Sequence, residues 1–428
     1  MKRADLPVAA GARRAFFAVV AAQFFSALAD NALLIAAIGL LQERHASDWM
    51  TPALRLTFYL SFVLLAAFAG PVADAWPKGR VLFGTNLLKL CGCLLLLVQV
   101  HPLLAYALVG LGAAAYSPAK YGILPELLPA SSLVRANAWV EVSTVVAILL
   151  GVVLGSALLD PRLPRAFMLQ PDGSHAGGAT AWIAALYLLA ALCTAAIGRT
   201  APGKPALLRH PGRLLDGFRR DVAILWRDQA AQISLAVTCL FWAVSATLQF
   251  IILLWSAQAL QLSLAQAALL QGAVAIGMVA GAVAAGRWIR IERALDVLPQ
   301  GLAIGVAVLL MTLVTQVWVA ILLLLAIGML SGLFLVPMNA LLQHRGQLLM
   351  HSGQSIAVQN FSENLASIFL LAVYGVLLHF SVPLVPIILV FGGLVCCAML
   401  SIMLLRRANR AAVTSCAGGT RSIGIDPM

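Results

Sequence analysis

Five ionisable side chains, Asp30, Lys89, Lys120, Glu141 and Glu363, stand inside long apolar runs. An ionised side chain at the centre of a membrane helix costs about 2.5–3.5 kcal/mol on insertion scales, so five of them facing lipid would cost on the order of 10 kcal/mol. They must line a cavity or pair with one another. Amides sit in the same runs: Asn31, Asn86, Gln249, Gln271, Asn339, Gln359, Asn360 and Asn364. The residues expected to touch a substrate are Asp30, Asn31, Lys120, Glu141, Gln249, Asn339, Asn360 and Glu363. Asp30 meets a cationic group of the substrate, holds Lys120, or is one half of a buried structural ion pair. Lys120, in SPAKYG between Pro118 and Gly122, either seeks a phosphate or pairs with Asp30 or Glu141. Lys89 snorkels, pairs or touches substrate. Glu141 and Glu363 share an interhelix hydrogen-bonding role or bind substrate. A few central charges within apolar walls suit an amphipathic cargo, whereas a sugar site would need more aromatic rings and amides.

The chemistry of turnover is missing. None of the seven histidines has an aspartate at His-x4-Asp spacing, and there is no Gly-x-Ser-x-Gly elbow, His-Glu-x-x-His helix or Gly-x4-Gly-Lys-Ser/Thr loop. Cys91 and Cys93 lie about 200° apart around a helix and cannot grip one metal, so the seven cysteines read as packing residues. The expectation is a non-enzyme without metal or cofactor that moves its substrate.

The elements that must position these residues follow from composition. The chain is 62% hydrophobic and 10% charged, against about 25% charged in soluble domains, so its solvent is lipid. A span needs roughly 20 apolar residues, and twelve such runs are present. Six lie in the first half, at Ala15–Leu41, Leu56–Ala73, Val81–Val100, Leu103–Leu124, Leu133–Leu159 and Thr180–Ile197. Six lie in the second, at Ile233–Ala257, Ala265–Trp288, Leu295–Gln316, Trp318–Leu342, Gly353–Leu378 and Val382–Leu405. The first run is too long for a cleaved leader and carries Asp30 mid-way. Expected boundaries are a six-helix bundle over 1–198, a linker over 199–232, a second bundle over 233–405 and a disordered tail over 406–428. Within the linker, Leu214, Leu215, Phe218, Val222, Leu225 and Trp226 recur at the spacing of an amphipathic surface helix. The extension Pro161–Gly178 carries no assigned role.

The net charge of +12 would suit nucleic acid, but its distribution argues otherwise. With both termini cytoplasmic, the opposite side keeps only Arg44, Arg55, Arg162 and Arg165. This is the positive-inside pattern of a multi-pass membrane protein, and no nucleic-acid partner is expected.

The halves repeat. AAYSPAKYGIL, ending at Leu124, matches FLVPMNALL (334–342), setting Pro118 against Pro337 and Lys120 against Asn339; ANAWVEVS (136–143) matches VQNFSENL (358–365), setting Glu141 against Glu363. Parallel repeats of this kind place a substrate site between the halves, near the midplane. Between the second and third runs lies GPVADAWPKGR (70–80), whose Asp74, Lys78 and Arg80 are candidates for a gate that pairs in one state and releases in another. Its weaker copy GAVAAGRWIR (281–290) has Ala285 in place of the acid. The motif resembles the loop signature of the major facilitator superfamily, which implies an all-α membrane fold of twelve helices in two pseudo-symmetric bundles.

FSALADNALL (25–34), GAAAYSPAKYGILPEL (112–127), NAWVEVSTVVAILLG (137–151), VPMNALLQHRG (336–346) and IAVQNFSEN (356–364) together resemble the bacterial lysophospholipid transporter family, over about Phe17 to Leu405. The resemblance implies a flippase of the bacterial inner membrane. Such a protein takes lysophosphatidylethanolamine and lysophosphatidylglycerol from the outer leaflet to the inner one, where a partner acyltransferase/acyl-carrier-protein synthetase re-acylates them. It also implies that Asp30, Lys120, Glu141 and Glu363 are the family's in-membrane charges, and that Gln249 in WAVSATLQF (242–250) replaces an expected arginine. A monomer is expected. The competing reading on the same fold is a proton-coupled exporter of drugs or other amphipathic molecules, with Asp30 or Glu141 carrying the proton.

Overall fold

A computed structural model describes residues 10–47, 49–160, 175–198 and 211–419, and these residues are helical throughout, joined by short turns. Arg162, Arg165, most of the 161–178 extension, and Arg199, Lys204 and Arg209 of the linker lie outside the described residues. Twelve helices are long and apolar enough to cross a membrane. The first six spans are α1 (Ala10–Glu43), α2 (Met50–Ala75), α3 (Lys78–Leu97), α4 (Pro102–Gly122) continued by the single turn α5 (Leu124–Leu127), α6 (Leu133–Leu158) and α7 (His175–Ala195). The amphipathic helix α8 (Leu214–Arg227) follows. The second six are α9 (Gln229–Ala259), α10 (Leu264–Trp288), α11 (Leu298–Leu310), α12 (Val317–Leu349), α13 (Ser352–His379) and α14 (Leu384–Gly419).

Local chemistry sets the punctuation. Trp76 and Pro77 break the chain between α2 and α3, since the residue before proline is pushed out of helical geometry. The Asp228 side chain caps α9 by accepting from Ala231 N at 2.9 Å, and Ser263 with Gln266 forms a capping box on α10. The pseudo-equivalent prolines Pro118 and Pro337 both sit inside helices, α4 and α12. The ninth span is a composite: 3₁₀ turns at Ile291–Val297 and Met311–Leu313 flank α11. One expectation is corrected. The tail was expected to be disordered from Arg406, but α14 continues to Gly419. Its stretch RRANRAAVTSCA has no proline and no glycine before Gly418, so nothing stops the helix. Arg406 is tied back to the Leu295 carbonyl and, at 3.0 Å, to Asp296.

The face at which α1 begins and α2 ends is termed the terminal face below. There the two bundles meet, chiefly α2 against α13 and α6 against α10. One apolar cluster crosses the seam, joining Phe16 and Val19 of α1 and Val134 and Ala138 of α6 to Ala282 and Ala285 of α10 and Val336 and Ala340 of α12. Ala285, the residue replacing the acid of the loop motif, is fully buried here, so this contact is apolar where its counterpart is ionic. Toward the opposite face the clusters stay within single bundles. Leu33, Leu54, Tyr106 and Ile183 pack in the first; Trp255, Leu260, Met311 and Ala320 pack in the second. Among the described residues the bundles are therefore joined at the terminal face, and no buried apolar cluster joins them toward the other.

Candidate functional site

The floor of the cleft is built at the terminal face by the loop motif. Asp74, ending α2, accepts from the backbone N–H of Gly353 (3.0 Å) and Gln354 (2.9 Å) at the start of α13, in the other bundle. A carboxylate at a helix N-terminus satisfies orphan donors and the helix dipole together. Gly353 is required at this point, because a Cβ would lie 2.7 Å from both Asp74 carboxylate oxygens. Lys78 bridges Asp74 (2.8 Å) and Glu126 of α5 (2.7 Å), and Ser352 Oγ donates to Glu126 at 3.4 Å. Arg80, expected in this cluster, is exposed and outside these pairs. The third charge of the cluster is instead the acid Glu126, which went unread in the sequence. The available signal was its position in the first turn after Pro125.

Above this lock lie two amide contacts between bundles. Asn137 of α6 and Gln343 of α12 exchange side-chain hydrogen bonds at 2.9 and 2.8 Å, both nearly fully buried. Ser117 of α4 and Asn360 of α13 meet at 2.9 Å.

The in-membrane charges do not converge on one point. Asp30 of α1 pairs with Lys89 of α3 at 2.7 Å, and its other oxygen accepts from Tyr187 of α7 at 2.7 Å. Lys89 also donates to Ser26 at 3.0 Å and lies 4.9 Å from the centre of the Tyr116 ring. Asp30 is thus one half of an ion pair with Lys89 of α3, and the alternative pairing with Lys120 is not made. Lys120 forms no ion pair among the described residues. It is 7% exposed and sits 4.0 Å over the Tyr121 ring, with Glu141 as an electrostatic neighbour.

The two pseudo-equivalent glutamates also differ. Glu363 accepts from Gln359 at 2.7 Å, and Gln359 in turn donates to Asn339 at 2.9 Å. Among the described residues no such amide chain reaches Glu141. Asn31 is satisfied within its own helix by Ala27 O at 2.8 Å. The Gln249 side chain is exposed on α9, and its backbone carbonyl accepts from Gln271 at 3.0 Å. Among the described residues no group of three His, Cys, Asp or Glu side chains could hold a metal.

Outside the spans, α8 lies across the base of the bundles. Leu214, Asp221 and Leu225 are buried, Phe218 meets Phe361 of α13 edge-on at 5.3 Å, and Leu215 and Trp226 remain exposed. Burial pushes the Asp221 carboxyl up to about 6, against the opposing pull of Arg220 and His351 and with the help of Asp74. Asp228 is held below the usual carboxylate range by its hydrogen bonds with Arg345.

Residues 19–369 match the Major Facilitator Superfamily. The chain is 40% identical over 375 residues to the lysophospholipid transporter LplT of Yersinia pestis (strain Pestoides F), covering 87% of this chain and 89% of that one. The match to the LplT of Yersinia pseudotuberculosis serotype O:3 (strain YPIII) has the same extent. Among solved structures, the fold is shared with the outward conformation of FucP (TM-score 0.71, 13% identity, 92% of this chain and 99% of that one). It is also shared with the human organic anion transporter MFSD10 (TM-score 0.70, 17% identity, 91% and 99%). This chain is a twelve-span member of the major facilitator superfamily and belongs, within it, to the lysophospholipid transporter family.

Proposed function

We propose that this protein carries lysophospholipids, lysophosphatidylethanolamine and lysophosphatidylglycerol among them, from the outer to the inner leaflet of a bacterial inner membrane by alternating access. The observation that carries the reading is the 40% identity to lysophospholipid transporters over most of both chains. The site supports it chemically. Lys120, which forms no ion pair among the described residues, offers its ammonium to a phosphate in a cleft where Asp30 and Lys89 hold each other and Glu363 is bound by an amide. Asn339, Asn360, Glu141 and Glu363 border the same level and are the proposed polar contacts of the headgroup, with Gln249 and Asn31 toward the open side.

The orientation rests on charge. Arg13, Arg14, Arg135, Arg219, Arg220, Arg227, Arg287, Arg290 and Arg293 lie toward the terminal face, against Arg44 and Arg55 at the other. Cationic loops stay cytoplasmic, so the terminal face is assigned to the cytoplasm and both termini with it. The structure then corresponds to the outward-open state, closed below by Asp74, Lys78 and Glu126. Rocking to the inward state releases this lock and moves the cargo across. A monomer suffices for this cycle. Re-acylation by an acyltransferase/acyl-carrier-protein synthetase in the inner leaflet removes the product and draws transport forward.

Expression in spheroplasts lacking their own lysophospholipid transporter tests this. Labelled lysophosphatidylethanolamine should be taken up and re-acylated in a protein-dependent manner. Resistance to lipophilic cations without lysolipid uptake would overturn the reading in favour of a drug exporter.

A further inference from the structure

Asp228 alone separates α8 from the span α9, and its extended backbone turns the chain between them. A 14-residue helix so close to the start of a span lies at the level where that span enters the headgroup region. Its rotation about its own axis is fixed from one side. Leu214, Asp221 and Leu225, within about 40° of one another around the helix, are buried, and Leu225 packs with Ala231, Leu235, Leu342 and Val358 of the second bundle. The rest of the circumference is divided in two. Leu215 and Trp226 lie about 20° apart and are 60% and 42% exposed, forming an apolar ridge. Arg219 stands about 40° from Leu215 on the flank of this ridge, and Arg220 and Arg227 stand about 120–140° from it; all three are exposed. The ion pair of Arg219 with Asp216 is long, at 3.8 Å, and its two side chains are 83% and 71% exposed, so it holds the arginine only weakly. An exposed tryptophan and leucine beside several arginines suit the plane of a membrane interface, with the apolar groups at the acyl boundary and the guanidinium groups on phosphates. Anionic headgroups are favoured over zwitterionic ones, since each arginine near an anionic surface is worth about fivefold in binding.

The position of α8 ties this surface to the floor of the cleft. Besides α9 and α13 of the second bundle, α8 packs on α2 of the first. These are the two helices, α2 and α13, that Asp74 joins. Opening the floor separates α2 from α13 and must break one of the contacts α8 makes, so a ligand that holds α8 against both favours the closed state.

We propose that α8 is a lipid-responsive strap: anionic phospholipid headgroups of the leaflet at the terminal face bind Arg219, Arg220 and Arg227, with Leu215 and Trp226 inserted beside them, and hold α8 across α2 and α13 so that the floor stays closed. A leaflet rich in anionic phospholipid then restrains opening at this face, and a depleted leaflet releases it. The inference does not depend on which cargo the protein carries.

The test reconstitutes the full chain in vesicles of phosphatidylethanolamine, alone or mixed with phosphatidylglycerol. Fluorescence quenching by brominated lipid reads occupancy of the ridge. The chain has nine tryptophans, so the share of Trp226 is the difference between the native protein and Trp226→Phe. That share should be quenched more strongly by brominated phosphatidylglycerol than by brominated phosphatidylethanolamine. Arg219→Gln combined with Arg227→Gln should raise the fraction of phosphatidylglycerol needed for half-maximal quenching about fivefold or more, the worth of at least one arginine; Arg220 is kept because it also acts on Asp221. Spin-label distances between the terminal-face ends of α2 and α13 should show a larger closed population when phosphatidylglycerol is present, and the arginine variant should lose that shift. Equal quenching by the two lipids, or a preference that survives the arginine substitutions, would overturn the anionic site. A preference lost in the variant, with distances that ignore the lipid in both proteins, would overturn the strap and leave α8 a membrane anchor.

Discussion

Two lysines within the apolar spans have opposite surroundings, and their variants should fail differently. Asp30→Ala removes the partner of Lys89 and leaves an ammonium buried without an acid, a change that costs about 3–5 kcal/mol in buried pairs. The amount of folded protein recovered from membranes in mild detergent should fall. Lys120→Ala removes a cation with no ion pair among the described residues, so folded protein should stay near native while uptake drops roughly tenfold or more, the scale of a lost contact to a charged group. Lys120→Arg should retain part of that uptake, and equal folding losses in the two alanine variants would contradict the contrast. The sequence made the importance of these charges legible, because an ionisable group in a lipid-facing run must have a reason to be there. It did not show the pairing. Asp30, Lys89 and Lys120 are each tens of residues apart, and whether Lys89 or Lys120 reaches Asp30 depends on how α3 and α4 are rotated about α1. Periodicity alone does not determine that rotation when every face of a helix is apolar.

At the level of elements, the contact between α2 and α13 holds the floor closed. Asp74→Asn keeps an acceptor but loses the charge that faces Lys78 and the α13 N-terminus. A cysteine introduced on the cleft side of the floor should then react with a membrane-impermeant thiol reagent added at the terminal face faster than in the native background; no change would argue against an ionic lock. The motif spacing pointed to Asp74 and Lys78 from the sequence. Arg80 shared their spacing but is exposed on α3, and Glu126 went unread because its contribution depends on where the short turn α5 places it beside Lys78.

The docking of α8 carries its own pH dependence. Asp221 has its pKa raised to about 6 in the folded protein by burial, with Arg220, His351 and Asp74 as the charged groups around it. A raised carboxylate pKa means the folded state holds the proton more tightly, so this stabilisation is complete below the unfolded pKa and lost as pH rises through about 6. Limited proteolysis in the linker should therefore slow as pH falls from about 7 to about 5.5, and Asp221→Asn should flatten that response. Asp228 acts in the opposite sense: its depressed pKa contributes stability that disappears only as pH falls below the usual carboxylate range.

For the whole molecule, the twelve spans were readable from hydropathy. A span of about 20 apolar residues is an unambiguous signal, and duplicated prolines and glutamates mark the repeat. The conformational state was not readable, because both ends of an alternating-access cycle share one sequence and differ by which contacts between bundles are made. In this structure those contacts gather at the terminal face, where the buried Asn137–Gln343 pair adds a polar clasp to the ionic lock. Replacing both residues by leucine keeps the volume and removes the clasp. Spin-label distances between the terminal-face ends of α2 and α13 should then show a larger inward-open population, and an unchanged distribution would assign the clasp to packing alone.

The most direct test of the account is lysophospholipid movement by the purified protein alone. Reconstituted into liposomes with labelled lysophosphatidylethanolamine in one leaflet, the native protein should transfer the label to the other leaflet far faster than protein-free liposomes, and Lys120→Ala should lose most of that gain. Transfer no faster than in protein-free liposomes, with the protein shown to be folded and inserted, would contradict lysophospholipid transport and leave the fold with a different amphipathic cargo.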